Sequence, residues 1–157
     1  MQQTALNNIN LVLSDAAATL EFARRIGARL KGGEVIELIG DLGAGKTTFV
    51  IGLAQGADIT EPVSSPTFTI RNDYSNNKLS IAHYDLFRIS DPGELKELLA
   101  ESLNEPQTVV VVEWADSLSH ILPTERIKLK LTPMNDDSRT VTAIYPSQYA
   151  YLFQGEQ

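Results

Sequence analysis

The chain has 157 residues and no cysteine, and its 13 Lys and Arg against 20 Asp and Glu give a formal net charge of −7. That length suits one domain whose core needs no disulfide or metal staple, and 43% hydrophobic with 21% charged residues is ordinary globular material. Thiolate zinc sites, iron–sulfur ligation and cysteine nucleophiles are excluded. So is a protein that wraps nucleic acid unaided, because no basic run supplies the cationic footprint.

No stretch reaches the roughly 18 apolar residues of a membrane span. Met1 to Ala5 lacks the charged and apolar regions of a signal peptide, so a cytoplasmic location is expected. In chain order, residues 9–13 read as a short strand, and Ser14 as the cap of a helix whose Leu20, Ala23, Ile26, Gly27 and Leu30 lie on one face. Gly32-Gly33 are expected to stop that helix. Residues 34–39 form the next strand, then comes a glycine-rich turn and a helix from Gly45 to about Ala54.

A polar loop, Val63 to Thr67, leads to strand-like residues 68–74, and 79–86 return past Asn76-Asn77 as the second arm of a hairpin. Asp91-Pro92-Gly93-Glu94 carries three helix-start signals, and Leu95, Leu98, Leu99 and Leu103 follow as one stripe. The run Val109 to Val112 does not alternate, as in a strand buried on both faces. Residues 126–132 do alternate, setting Arg126, Lys128 and Lys130 on a wet face, and a last strand spans about 140–145. One mixed α/β domain over residues 1–157 is the expected organisation.

The chemistry is concentrated in Gly40-Asp41-Leu42-Gly43-Ala44-Gly45-Lys46-Thr47, a full G-x-x-x-x-G-K-[ST] phosphate-binding loop between an apolar strand and a helix. Its glycines let successive amides point inward at phosphate oxygens, and the helix adds the positive end of its dipole. Lys46 sets an ammonium against the terminal phosphates, and the Thr47 hydroxyl completes a Mg2+ shell. A nucleoside triphosphate is the expected ligand.

Glu113 ends the valine run at the carboxyl end of a buried strand, where ligands gather. It binds magnesium, directly or through water, or orients the attacking water; the alternative is a strand-ending Glu facing solvent. Trp114 either covers the site or is a plain aromatic. In His83-Tyr84-Asp85-Leu86-Phe87-Arg88, Asp85 is a second carboxylate near the metal and Arg88 stabilises phosphate charge, or the two simply pair or face water. His83 reads as a packed strand residue, and with only His120 beside it no histidine metal site is credible. The loop Ser64-Ser65-Pro66-Thr67 is either a nucleotide-sensing switch or a proline-stiffened turn. The guanine-reading N-K-x-D motif is absent, since Asn77-Lys78 continues to Leu79-Ser80, and seven scattered arginines do not outline a kinase lid.

Four blocks in order, Gly40 to Thr48, Ser65-Pro66-Thr67-Phe68-Thr69, His83 to Arg88 and Val112-Glu113-Trp114, resemble the TsaE (YjeE) family of bacterial P-loop ATPases over residues 9–132. The segment after about 145 carries no signature. Tyr84 and Phe87 swap aromatic types against the family pattern, and Ala115 stands where Pro is common. The resemblance implies a three-layer α/β/α P-loop NTPase fold with a mixed, mostly parallel sheet. It also implies ATP and Mg2+ as cofactors, and a role with TsaB and TsaD in installing threonylcarbamoyladenosine beside the anticodon, with tRNA met only through that complex.

By that likeness Asp41, Leu42, Gly43, Ala44, Gly45, Lys46, Thr47, Thr48 and Thr67 contact the nucleotide, and Thr47 and Glu113 hold the metal. Lys46, Asp85 and Glu113 are the candidate catalytic residues. Hydrolysis is expected to be slow for the chain alone, because no arginine is an obvious built-in finger; Arg71 and Arg88 are the candidates.

Overall fold

The computed structural model describes residues 5–41, 43–66, 69–89 and 91–156. Seven strands form one sheet: β1 (Leu6–Leu13), β2 (Val35–Ile39), β3 (Arg71–Ser75), β4 (Ser80–Asp85), β5 (Thr108–Glu113), β6 (Ile127–Pro133) and β7 (Arg139–Pro146). Their order is β1-β7-β6-β2-β5-β4-β3. The central ladders β6-β2, β2-β5 and β5-β4 are parallel, whereas β1-β7, β7-β6 and β4-β3 are antiparallel. Only β3 and β7 therefore run against the rest, and the sheet is mixed with most strands in one direction.

Side-chain alternation divides the core in two. Ile36 and Leu38, Val109 and Val111, Leu129 and Leu131 face α1 (Ala16–Gly27) and α2 (Lys46–Gly56). Val35, Ala82, Tyr84, Val110 and Val112 face α3 (Pro92–Leu103) and a 3-10 helix at Asp116–Ile121. A second 3-10 helix, Ser147–Phe153, brings Tyr149, Leu152 and Phe153 into the first core. Helices thus cover both faces, and β2 and β5 read as near-continuous apolar runs because neither face is wet. Among the described residues no helix is long and apolar enough to cross a membrane.

The α1–α2 contact rests on small residues. A Cβ at Gly27 would stand 2.2 Å from the Leu53 carbonyl oxygen, and one at Gly56 would stand 2.1 Å from that of Arg24. Backbone therefore touches backbone, and α2 is braced from behind.

Several expectations shift. The cap of α1 is Asp15, not Ser14: its carboxylate accepts from the Ala18 amide at 2.8 Å and also complements the helix dipole. That helix ends at Ala28, ahead of Gly32-Gly33, because the chain tightens into i→i+3 bonds from Arg29 to Ile26 and Leu30 to Gly27. The two glycines serve the next turn, where the Lys31 and Gly32 amides donate to the Glu34 carboxylate at 2.7 Å each. The hairpin's first arm starts at Arg71, later than residue 68, and Phe68 lies outside the described residues.

Asp91 caps α3 as its signals require, accepting from Gly93 N at 2.9 Å. Leu103 leaves the stripe and is exposed in the last turn. Arg126 is not on a wet face. It is buried, and its Nε donates to the equally buried Glu37 at 2.8 Å while Nη1 donates to the Pro123 carbonyl.

Candidate functional site

β2 delivers the chain to its carboxyl end at Ile39, and the loop from Gly40 turns it into α2. Gly45 occupies the position before the helix at φ +100°, a left-handed conformation that a side chain would strain, and Gly43 lies at φ +83°. Since Gly45 has no side chain to cap the helix, the first amides of α2 stay unclaimed by any capping group. Such a terminus favours an anion. Within the loop, Ala44 N donates to Asp41 O at 3.0 Å, and the Ala44 side chain is buried in the core.

A cavity of about 290 Å³ opens at this terminus. The loop and α2 contribute Gly43, Gly45, Lys46, Thr47 and Thr48; Asp85 and Glu113 reach it from the ends of β4 and β5. Those two carboxylates are register partners on adjacent parallel strands, so the fold brings together residues 28 positions apart. Ser65, Trp114 and Arg139 complete the lining. Asp41 lines a neighbouring recess of about 320 Å³ with Gly40, Trp114, Asp116 and Lys130. The expected contacts Leu42 and Thr67 lie outside the described residues.

Lys46 is buried, yet its Nζ has no hydrogen-bond partner among the described residues. It lies 3.8 Å from Glu113 Oε1 and 3.7 Å from the centre of the Trp114 ring. Burial holds its pKa below the ordinary lysine range, with Glu113, then Asp85, Asp41 and Asp116 pulling the other way. An ammonium without a hydrogen-bond partner among the described residues, on the first residue of an uncapped helix, has the donors that an anion's oxygens could take.

Glu113 is held from below. Its Oε2 pairs at 2.5 Å with Nε2 of His83, a fully buried ring whose Nδ1 has no partner among the described residues. With its proton on Nε2, the ring donates to the carboxylate. His83 is thus a positioning residue for Glu113, a role its sequence context as a packed strand residue did not disclose. The only available signal was that His83 and Asp85 share one strand face. Trp114 follows Glu113 at φ +59°, a conformation that costs an L-residue roughly 1–2 kcal/mol. The turn lays its ring over Lys46, where Phe87 meets it edge-on at 5.4 Å.

Asp85 is fixed by its backbone, its amide donating to Ile70 O, while its Oδ1 accepts from Phe87 N at 3.0 Å. The loop carrying Ser65 is anchored by Tyr74, whose hydroxyl donates to Ser64 O at 2.7 Å and accepts from Ser64 N. Neither arginine candidate lines the cavity. Arg71 pairs with Asp73 at 2.9 Å and lies 3.7 Å from Glu101 of α3, and Arg88 is exposed. The arginine that does line it is Arg139, from β7, which no motif marks.

The donor chemistry fits a hard divalent ion: the Thr47 hydroxyl and the Glu113 carboxylate share the cavity, and phosphate and water oxygens would complete such a shell. No group of three or more acidic, histidine or cysteine side chains capable of holding a metal alone occurs among the described residues.

Residues 13–141 match the family described as threonylcarbamoyl adenosine biosynthesis protein TsaE. The chain is 41% identical over 124 residues to the tRNA threonylcarbamoyladenosine biosynthesis protein TsaE of Bacillus subtilis, covering 79% of this chain and 77% of that protein. It is 37% identical over 141 residues to the Nostoc protein of the same name, covering 88% and 86%. The crystal structure of Bacillus subtilis YdiB superposes with a TM-score of 0.79 at 32% identity, covering 96% of this chain and 94% of that one. With its phosphate loop, paired carboxylates and mixed sheet, the chain belongs to the TsaE family of tRNA threonylcarbamoyladenosine biosynthesis proteins.

Proposed function

We propose that this protein is a Mg2+-dependent ATPase whose nucleotide cycle supports threonylcarbamoyl modification of the adenosine beside the anticodon, acting with TsaB and TsaD. The observation that supports the ATP site is the buried Lys46 ammonium, without a hydrogen-bond partner among the described residues, on the first residue of the uncapped α2. Lys46 and the amides of Gly45 to Thr48 hold the phosphates, and the Thr47 hydroxyl and Glu113 hold the metal. When bound, Mg2+ neutralises charge that develops on the phosphate oxygens. Glu113, kept in one orientation by His83, orients water for attack, with Asp85 as the second acid at the same sheet edge. Trp114 excludes solvent from the Lys46 side. ATP is favoured over GTP because the chain lacks the guanine-reading motif.

Turnover by the isolated chain is slow in this reading. An arginine at the transferred phosphate is worth about 10³–10⁵ in rate, and neither Arg71 nor Arg88 lines the cavity. Docking on TsaB and TsaD supplies that group or closes the loop at Ser65. A net charge of −7 also leaves tRNA contacts to the partners.

The test is ATP hydrolysis by the purified chain, alone and with TsaB–TsaD, beside Lys46→Ala and Glu113→Ala. The expected result is a low rate that rises several-fold with partners. Lys46→Ala should lose binding and hydrolysis together, and Glu113→Ala should keep binding but lose about 100-fold or more in rate. A rate indifferent to the partners would remove the coupling. Full multiple-turnover modification with a hydrolysis-dead Glu113→Ala protein would make ATP an assembly ligand instead.

A further inference from the structure

Arg139 is the cavity residue that neither the motifs nor the proposed hydrolysis accounts for. It opens β7, where its backbone is registered between Leu13 of β1 and Pro133 of β6. From there the side chain reaches back onto the phosphate loop, so that Nη1 stands 2.5 Å from the place a Cβ would occupy on Gly45. Among the described residues its buried Nε has no partner, and Nη2 donates to the Asp137 carbonyl over a long 3.4 Å.

A guanidinium has five donors, and leaving a buried one unpaired is costly. Here it also faces the Lys46 ammonium and the positive end of α2 across one small cavity. Asp85 and Glu113 line the same cavity from the ends of β4 and β5, while Arg139 and the start of α2 leave cationic donors for an anion at the loop.

Strand order says which part of the anion Arg139 meets. Glu113 on β5 and Asp85 on β4 lie to one side of β2, and β7 lies two strands to the other. The metal and the transferred phosphate belong with the carboxylates, so the far side is left to the rest of the nucleotide. We propose that Arg139 is a nucleotide-binding residue that grips the phosphates that are not transferred, and so holds nucleoside di- and triphosphate alike. This rests on the nucleotide reading above. It also explains why an arginine within the cavity leaves isolated turnover slow: the grip is on the wrong phosphate to stabilise transfer.

The test titrates ADP and ATP into wild type, Arg139→Ala and Arg139→Met, read by the fluorescence of the single tryptophan, Trp114, and by the Tm increment at saturating nucleotide. Both variants should raise Kd for ADP and ATP alike, by about 10- to 100-fold, the range of hydrogen bonds to a charged group. The ligand-free Tm should stay within about 2 °C of wild type, because the half-buried Arg139 side chain gives up only its long contact to Asp137 among the described residues. Unchanged affinity for both nucleotides would overturn the proposal, as would a loss confined to ATP or to kcat, which would put Arg139 at the transferred phosphate. Wild type that binds neither nucleotide would instead overturn the nucleotide reading itself.

Discussion

At the scale of single residues, the site is a stack of buried polar groups in which each orients the next. His83 has no route to solvent and spends one nitrogen on Glu113; Glu113 spends its other oxygen near Lys46; Lys46 lies against Trp114. Replacing His83 by Leu should therefore lower kcat by about 10- to 100-fold, the usual cost of losing an outer-shell partner, while nucleotide Kd changes less than about threefold. His83→Gln, which restores an N–H donor, should recover part of the rate. Steady-state hydrolysis with tryptophan-monitored titration separates the two effects, and an equal loss in Kd would mean that His83 shapes the phosphate cradle instead.

At the scale of elements, the C-terminal 3-10 helix is tied to the turn before β2 by a polar latch. The Tyr151 hydroxyl donates to Glu34 at 2.6 Å, and Glu34 already gathers the Lys31 and Gly32 amides. Nearby, Arg25 of α1 grips the buried Glu156 through two 2.8 Å bonds, with Arg29 at 3.7 Å. Burial, and then the contact with Glu34, push the Tyr151 pKa above the ordinary tyrosine range. The unfolded tyrosine releases its proton near pH 10. Above that pH the unfolded chain binds fewer protons than the folded one, so stability falls as pH rises further. The latch should thus be fully effective below about pH 10 and weaken above it. In Tyr151→Phe this part of the alkaline loss should disappear, at a cost of about 1 kcal/mol at neutral pH; urea midpoints at pH 7 and pH 11 measure both.

At the scale of the whole molecule, the sheet gathers the carboxyl ends of β2, β4 and β5 at one edge, and the α1–α2 brace holds the phosphate-loop helix against it. The brace tolerates no extra atom, because Gly56 meets the Arg24 carbonyl and Gly52 meets the Leu20 carbonyl with Ala23. Gly56→Ala should destabilise the fold by about 1–3 kcal/mol, since backbone on both sides has to move. It should also weaken nucleotide binding by shifting the start of α2. A midpoint of chemical unfolding equal to wild type would show that the helices can separate without cost.

What the sequence determined by itself was whatever depends on neighbours along the chain. The phosphate loop, the cap at Asp91 with Pro92, the buried run ending in Glu113 and the hairpin about Asn76 were legible because each is set within a few residues. The alternation of residues 126–132 was legible too, but the exception was not: Arg126 is buried only because Glu37 comes beside it from another strand. The tertiary structure alone decided that His83 lies under Glu113 and that Arg139, rather than Arg71 or Arg88, enters the cavity. It also decided that the unmarked C-terminal segment latches onto α1 and Glu34. Backbone propensity and spacing act over a turn of helix or a hairpin. The partner of a buried charge is chosen by strand order, which brings Arg139 to Gly45 across 94 positions of chain.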